Sequence, residues 1–109
     1  MPTYSKGDVV LIRYPFSDRS DVKVRPAVVV GAPHSSHDTF VVPITSKIAN
    51  LLTGEFAMKN WKEAGLNVPS AVKRGLFTLH QNLILRTVGR VSSEDGKTLD
   101  QSLRMWLGI

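Results

Sequence analysis

Short apolar runs, rich in valine and isoleucine and separated by turn residues, occupy most of this chain. Runs of this length, ended by glycine, proline or polar clusters, are typical of a small β-barrel or sandwich. The pattern predicts strands over residues 8–14, 23–30, 39–45, 55–58, 76–79 and 83–91. Between them, the segments 17–21, 34–38 and 60–70 are predicted to be loops.

The hydrophobic period changes after Ser92, where apolar residues begin to recur at helical spacing. The positions that define an amphipathic stripe at i, i+4, i+7 and i+8 are Leu99, Leu103, Trp106 and Leu107. Ser92 followed by Asp95 is typical of a helix N-cap, and Gly108 is typical of a helix end. We therefore expect one helix at the C-terminal end of a mainly β domain, with Trp106 in its core.

Alternation along the second and third strands assigns their side chains to faces. It places Lys23 and Arg25 on the face opposite Pro26, and Thr45 opposite Phe40. Because proline cannot donate to a ladder, Pro26 predicts an edge or bulge position. If these two strands pair, Arg25 and Thr45 lie near the same rim of the sheet.

Composition limits the class of protein. With 109 residues, 12.0 kDa and 42% hydrophobic residues, the chain can form a single core, so we expect one domain over residues 1–109. No apolar run approaches the roughly 20 residues of a membrane span, and the N-terminus lacks the apolar region of a signal peptide. The absence of cysteine excludes disulfides and cysteine-ligated metals, and is compatible with a reducing cytoplasm. We expect a cytoplasmic protein.

The net charge of +5 and the pI near 9.9 favour an anionic partner, such as nucleic acid or an acidic protein segment. Residues 59–90 hold six basic side chains and one acidic side chain, which accounts for the whole net charge. A solvated basic surface without a ligand is the alternative.

The motifs of several enzyme classes are missing from the sequence. It contains no glycine-rich phosphate loop and no nucleophile elbow. His34 and His37 with Asp38 lie in a loop without further ligands, so we interpret them as solvated and expect no metal and no cofactor. Guanidinium, hydroxyl and imidazole groups remain, and they suit the RNA phosphodiester, whose 2′-OH is a built-in nucleophile.

Four residues are candidates for this chemistry. Arg25 offers a planar fork of donors to phosphate oxygens, although pairing with Asp18 or Asp21 is the alternative. Thr45 and Ser46 can donate to an oxyanion, or can simply form a turn or cap. His80 can act as a general acid or base near neutral pH, or can be a packing residue.

Ordered sequence blocks carry a family resemblance over nearly the whole chain. The principal blocks are Gly-Asp-Val-Val-Leu-Ile-Arg-Tyr-Pro-Phe-Ser-Asp at 7–18, Lys-Val-Arg-Pro-Ala-Val-Val-Val at 23–30 and Pro-Ile-Thr-Ser at 43–46. Further blocks are Ala-Gly-Leu at 64–66, Pro-Ser at 69–70, Leu-Phe-Thr-Leu at 76–79 and Val-Gly-Arg-Val-Ser at 88–92. Together they resemble the MazF/PemK (Kid-like) toxin endoribonucleases of type II toxin-antitoxin systems.

The resemblance implies an SH3-like β-barrel with a C-terminal helix, a homodimer, and metal-independent, ribosome-independent cleavage of single-stranded RNA at short motifs through a 2′,3′-cyclic phosphate. It also implies a cognate antitoxin, whose acidic segment covers the RNA groove, and operator DNA as the ligand of the complex. Its motif residues fall on Arg25, as the group that stabilises the phosphate or acts as an acid, and on Thr45 with Ser46 adjacent. Its first substrate-binding loop falls on Asp18 and Arg19, together with Lys23.

The chain departs from many relatives around the Leu-Phe-Thr-Leu block. Lys73-Arg74-Gly75 precedes the block and His80 follows it, whereas many relatives carry an Arg or Asp before the block and an Asp directly after it. Lys73 and Arg74 still suit contacts to the RNA backbone. The group that takes the 2′-OH proton stays open between His80, Asp18 and water. A non-catalytic nucleic-acid-binding barrel that acts with an antitoxin in transcriptional autoregulation is the alternative function, and a barrel that binds acidic peptides is a further one.

Overall fold

The computed structural model describes residues 4–15 and 22–109 and is mainly β with one C-terminal helix, as predicted. Its strands are β1 (Asp8–Pro15), β2 (Val22–Val29), β3 (Asp38–Thr45), β4 (Phe56–Ala57), β5 (Ala71–Val72), β6 (Phe77–His80) and β7 (Ile84–Arg90). A 3₁₀ turn spans Gln81–Leu83, and the helix α1 spans Ser93–Leu107. The segment 60–70 holds turns and bends without helix or strand, as predicted for a loop, whereas the predicted loop 17–21 lies outside the described residues.

The strands form one antiparallel sheet in the order β4-β5-β3-β2-β1-β7, with β6 also paired to β3. Both faces of this sheet are buried. The first cluster packs under α1 and contains Val9, Val28, Val42, Ile44 and Leu99; the second contains Val10, Ile12, Ala27, Val29, Val41, Leu79 and Ile84. Burial on both faces explains why the apolar runs are continuous instead of strictly alternating.

The ladder between β2 and β3 ends at a pair of prolines. It runs from Val29 opposite Val41 to Ala27 opposite Pro43, and the next residue of β2 is Pro26. Neither proline has an N–H to donate, so the ladder cannot continue in its regular form. β3 pairs instead with β5, placing Thr45 opposite Ala71. The two strands therefore form a fork at this point.

The observed pairing of β2 corrects in part the edge or bulge position predicted from Pro26. β2 is an interior strand between β1 and β3, so the predicted edge strand is wrong for β2 as a whole. Its pairing with β3 nevertheless spans only Ala27–Val29, and Pro26 lies directly beyond that stretch. The missing N–H of Pro26 therefore interrupts the pairing with β3 at this position and does not make β2 an edge strand.

The predicted helix begins and ends at its predicted caps. The Ser92 Oγ accepts a hydrogen bond from the Asp95 N–H at 3.1 Å, and Gly108 adopts a left-handed conformation with a φ of 71°. Trp106 packs against the core and donates its indole N–H to the Thr53 carbonyl at 3.0 Å. Leu107 is 51% exposed, so it lies outside the buried stripe to which its spacing assigned it. In residues 4–15 and 22–109, no helix is long and apolar enough to cross a membrane.

Asp95 connects the start of α1 to the backbone at the start of segment 60–70. Its carboxylate is 2% exposed and accepts the N–H groups of Lys59 at 3.0 Å and Asn60 at 2.9 Å. Asp95→Ala leaves both donors without this partner, and we expect it to lower the free energy of unfolding by about 2–4 kcal/mol. Asp95→Asn, which keeps one acceptor, should lose about half as much. Urea denaturation measures both effects, and wild-type stability in Asp95→Ala would contradict this role.

Candidate nucleic-acid interface

An open groove with a volume of about 750 Å³ lies at the fork between β2 and β3. Its lining falls into two groups, which we call its sides: Arg25 on β2 with the end of β3 at residues 44–47, and residues 65–68 with residues 86–88 of β7, which β1 separates from β2 in the sheet. The cationic side chains among its described lining residues are Arg25, Lys47, Lys73 and Arg86. Within that same described lining no side chain is acidic, so the groove suits an anionic ligand.

Arg25 and Thr45 occupy the two arms of the fork. Past the last pair of the β2–β3 ladder, Ala27–Pro43, Arg25 lies two residues further on β2 and Thr45 two residues further on β3. Both residues line the groove, so the structure brings together the pair that strand alternation placed on one rim. The exposed side chain of Ser46 lies beside them.

The hydroxyl of Thr45 already takes part in a local turn. Its Oγ1 accepts the N–H of Lys47 at 3.1 Å, which is the turn interaction that the sequence left as the alternative. A threonine hydroxyl has one hydrogen and two lone pairs, so accepting this bond leaves its O–H as a donor. The turn fixes the hydroxyl oxygen of Thr45 at the groove, and the O–H can still donate a hydrogen bond to a ligand.

Lys73 reaches the groove from a turn that two backbone contacts fix. The Lys73 N–H donates to the Pro43 carbonyl at 3.0 Å, and the Arg74 N–H donates to Glu55 Oε2 at 2.9 Å. Glu55 Oε1 also accepts the Leu52 N–H at 2.7 Å. These two backbone hydrogen bonds, with the nearby charges of Lys73 and Arg74, lower the pKa of Glu55 below its ordinary value. The ionised Glu55 therefore supports the turn that carries Lys73.

The second side of the groove depends on two glycines in close backbone contact. Gly65 has a φ of +90°, and a Cβ there would lie 2.2 Å from the Val88 carbonyl oxygen. A Cβ on Gly89 would lie 2.3 Å from the Ala64 carbonyl oxygen. The Ala-Gly-Leu and Val-Gly-Arg blocks of the sequence thus meet backbone to backbone, and this contact holds residues 65–68 over β7.

Three of the predicted site residues lie away from this lining. His80 pairs with Asp38 at the far end of β3, roughly 20 Å along the strand from Thr45, and its Nδ1 accepts the Asn82 N–H at 3.1 Å. Lys23 and Arg74 are exposed, and neither lines the groove. Two more predicted residues, Asp18 and Arg19, lie outside the described residues.

The basic segment of the sequence is divided between structural and groove positions. Arg90 binds the Asp8 carboxylate and the Lys6 carbonyl, and Lys59 pairs with Glu94 at 3.0 Å. The hydrogen bond that the Lys59 ammonium donates to the Glu94 carboxylate raises the pKa of Lys59. From residues 59–90, the cations that line the groove are Lys73 and Arg86. The other two groove cations, Arg25 and Lys47, come from elsewhere in the chain.

Sequence reasoning did not select Lys47 or Arg86 as site residues. Lys47 follows the Thr45–Ser46 pair directly, and this adjacency is the sequence feature that could have identified it as a site residue. Arg86 reaches the groove because β7 pairs with β1, which puts Arg86 opposite Leu11. No local pattern predicts a pairing between residues so far apart in the chain.

The described part of the groove offers cations and hydroxyls. These groups can bind a phosphodiester, stabilise charge that develops on it and donate a hydrogen bond. Across residues 4–15 and 22–109 there is no group of three or more His, Cys, Asp or Glu side chains placed to hold a metal ion. The chemistry that these residues can supply is therefore electrostatic stabilisation of a phosphate.

Comparison with known proteins adds a family and a set of similar folds. The family model described as "PemK-like, MazF-like toxin of type II toxin-antitoxin system" matches residues 5–107. The crystal structure of MazF (Form-I) from Deinococcus radiodurans is similar with a TM-score of 0.78 and 17% identity, over 100% of both chains. The Mycobacterium tuberculosis toxin MazF-mt6 is similar with a TM-score of 0.72 and 18% identity, over 94% of this chain and 97% of that chain.

A third similar structure is an endoribonuclease in complex with its cognate antitoxin from a Mycobacterial species. Its TM-score is 0.76 at 16% identity, over 100% of this chain and 97% of that chain. At these identities the likeness concerns the fold. A search of curated proteins gave no significant match.

Proposed function

The chain belongs to the PemK-like, MazF-like toxins of type II toxin-antitoxin systems, and on this premise we propose that it is a metal-independent, ribosome-independent endoribonuclease. Its substrate would be single-stranded RNA, cleaved at short sequence motifs, with inhibition of translation and growth as the result. The observation that carries the proposal is the groove at the fork, where Thr45 lies in a lining with four cations, Arg25 among them. The fold that this chain shares with solved endoribonucleases supports it.

In the proposed reaction the 2′-OH of one nucleotide attacks the adjacent phosphorus. A bond forms from the 2′-oxygen to phosphorus, the bond to the 5′-oxygen breaks, and the products are a 2′,3′-cyclic phosphate and a 5′-OH end. The 2′-OH proton leaves to a base, and the 5′-oxygen gains a proton. Arg25 stabilises the extra negative charge on the phosphorane, or gives the leaving oxygen its proton, and Thr45 assists through its O–H, with Ser46 beside it.

The base that accepts the 2′-OH proton is not among the described groove residues. His80 lies at the far end of β3, so we leave it out of the proposed reaction. Asp18, in the loop that the family resemblance assigns to substrate binding, and water are the remaining candidates. Arg19 and Lys23 belong to the same proposed binding region.

Lys47, Lys73 and Arg86 are proposed to bind RNA phosphates on either side of the reacting one. Each phosphate contact to a single strand adds about 0.7 to the slope of log affinity against log salt, so the four groove cations predict a slope of roughly −2 to −3. Lys73→Ala should reduce the slope by about 0.7. Fluorescence anisotropy with a labelled RNA measures both slopes in an Arg25→Ala background, where cleavage is slow and the three remaining groove cations predict a slope of roughly −2. Lys97→Ala, on the exposed side of α1, is the matched control, and the same slope in Lys73→Ala and Lys97→Ala would contradict the assignment.

The proposed partners follow from the family. We propose a homodimer of a single-domain chain, 1–109, in the cytoplasm, neutralised by a cognate antitoxin whose acidic segment covers the cationic groove. A solved relative in complex with its antitoxin supports this partner. The toxin-antitoxin complex would bind its operator DNA. Apolar side chains at the end of α1, which include Met105 at 57% and Ile109 at 79% exposure, support a second copy as the partner of that surface.

Incubation of purified protein with a long RNA, supplied once as a single strand and once annealed to its complement, tests the proposal. We expect cleavage of the single strand at a recurring motif and protection of the duplex. Binding of both RNAs without cleavage would contradict the endoribonuclease and favour the non-catalytic binding barrel.

A further inference from the structure

The side of the groove formed by residues 65–68 and 86–88 contains one side chain that differs in chemistry from the rest. Asn67 is exposed and lies between Leu66 and Val68 on the segment 65–68. Among the described lining residues it is the one with a carboxamide. Its amide makes no hydrogen bond to the described chain, so both its donor and its acceptor are available to a ligand.

A carboxamide recognises a different part of RNA from the groove cations. Lysine and arginine only donate, and in this groove they are assigned to phosphates, which are the same at every nucleotide. A base edge presents donors and acceptors side by side. Asn holds an N–H donor and a carbonyl acceptor in one plane at fixed separation, which matches that pattern, whereas the hydroxyls of Thr45 and Ser46 rotate.

The backbone that carries Asn67 is held on both sides. Before it, the Leu66 N–H donates to the Trp61 carbonyl at 3.2 Å, and Gly65 abuts β7. After it, the Ser70 hydroxyl donates to the Val68 carbonyl at 2.8 Å, and the Ser70 carbonyl accepts the Met58 N–H at 2.8 Å. A contact made from a fixed backbone loses less entropy on binding and therefore discriminates better.

We propose that Asn67 is a specificity-determining residue that pairs with the edge of one base of the bound strand. The inference rests on the proposed function, because it takes single-stranded RNA as the ligand of the groove. Arg25 and the lysines hold the backbone, and Asn67 reads one position of the motif. Good two-point contacts of this type discriminate between bases by about tenfold or more.

A random RNA pool tests this reading at each position. Sequencing of the cleaved ends gives the motif, and sequencing of RNA retained by the protein gives it without requiring cleavage. We expect Asn67→Ala to relax the preference at one position by about tenfold while the rest of the motif persists. Asn67→Asp, which can only accept, should move that same position towards guanine, whose Watson–Crick edge carries two adjacent donors.

Asn82→Ala, on the exposed 3₁₀ turn at the far end of β3, is the matched control and should keep the wild-type motif. An unchanged motif in Asn67→Ala overturns the inference, and so does a wild-type protein that retains RNA with no sequence preference. Wild-type protein that selects a motif but cleaves nothing would contradict the endoribonuclease, and loss of one position in Asn67→Ala would still support the base contact.

Discussion

Arg25→Ala is expected to reduce the rate of RNA cleavage by about 10²–10³-fold and to leave the fold intact. Arg25 is exposed beyond the end of the β2–β3 ladder, so truncation of its side chain removes no core packing. The rate falls because the Arg25 guanidinium no longer stabilises the transition state. Removal of one preorganised donor to developing negative charge typically lowers a reaction rate by this factor. Arg25→Lys keeps the charge but not the planar fork, and it should recover only part of the rate.

Single-turnover cleavage with saturating protein measures this effect separately from RNA binding. Arg104→Ala, which removes an exposed arginine of α1 far along the chain from the fork, controls for the loss of one positive charge. Thermal unfolding of each variant confirms that the fold is retained. Cleavage by Arg25→Ala at the wild-type rate would contradict the role assigned to Arg25.

Gly89→Ala is expected to destabilise the fold strongly. The new Cβ would lie 2.3 Å from the Ala64 carbonyl oxygen and 2.5 Å from its carbon, and both contacts are with backbone that cannot rotate away. The segment 64–66 must separate from β7 to admit the methyl group. We expect the free energy of unfolding to fall by at least about 2 kcal/mol. The groove should lose its second side at the same time.

Gly96→Ala is the matched control for this substitution. Gly96 lies in α1, and a Cβ there would have its nearest contact with Val91 at an ordinary 3.7 Å. Because alanine is the better helix former, Gly96→Ala should raise stability by about 0.5–1 kcal/mol. Urea denaturation compares the two proteins, and equal stability of Gly89→Ala and wild type would contradict the close backbone contact.

The sequence predicts the parts of this fold that depend on local chemistry. Ser92 and Gly108 mark both ends of α1 through capping, and alternation along β2 and β3, given that the two strands pair, places Arg25 and Thr45 at one rim. The fork needs Pro43 as well as Pro26, and only Pro26 was interpreted as a break in the ladder. The two-residue strand β5 is too short to show a period, so its pairing with β3 was not predicted.

The remaining parts of the groove depend on contacts between distant segments. Arg86 becomes a groove residue through the β1–β7 pairing, which no local pattern reveals. The same limit explains His80, which follows its sequence block closely yet lies at the opposite end of β3 from Thr45. The continuous basic segment was similarly misleading, because Arg90 and Lys59 form ion pairs outside the groove.

The most direct test of the proposed chemistry is cleavage of a short RNA in EDTA, with and without a single 2′-deoxy substitution at the cleaved nucleotide. We predict that the all-ribose RNA is cleaved without added metal and yields a 2′,3′-cyclic phosphate and a 5′-OH. The RNA with one 2′-deoxy nucleotide should remain intact at that site while still binding to the protein. Cleavage at the 2′-deoxy position, or activity that EDTA abolishes, would contradict attack by the 2′-OH in a metal-independent groove.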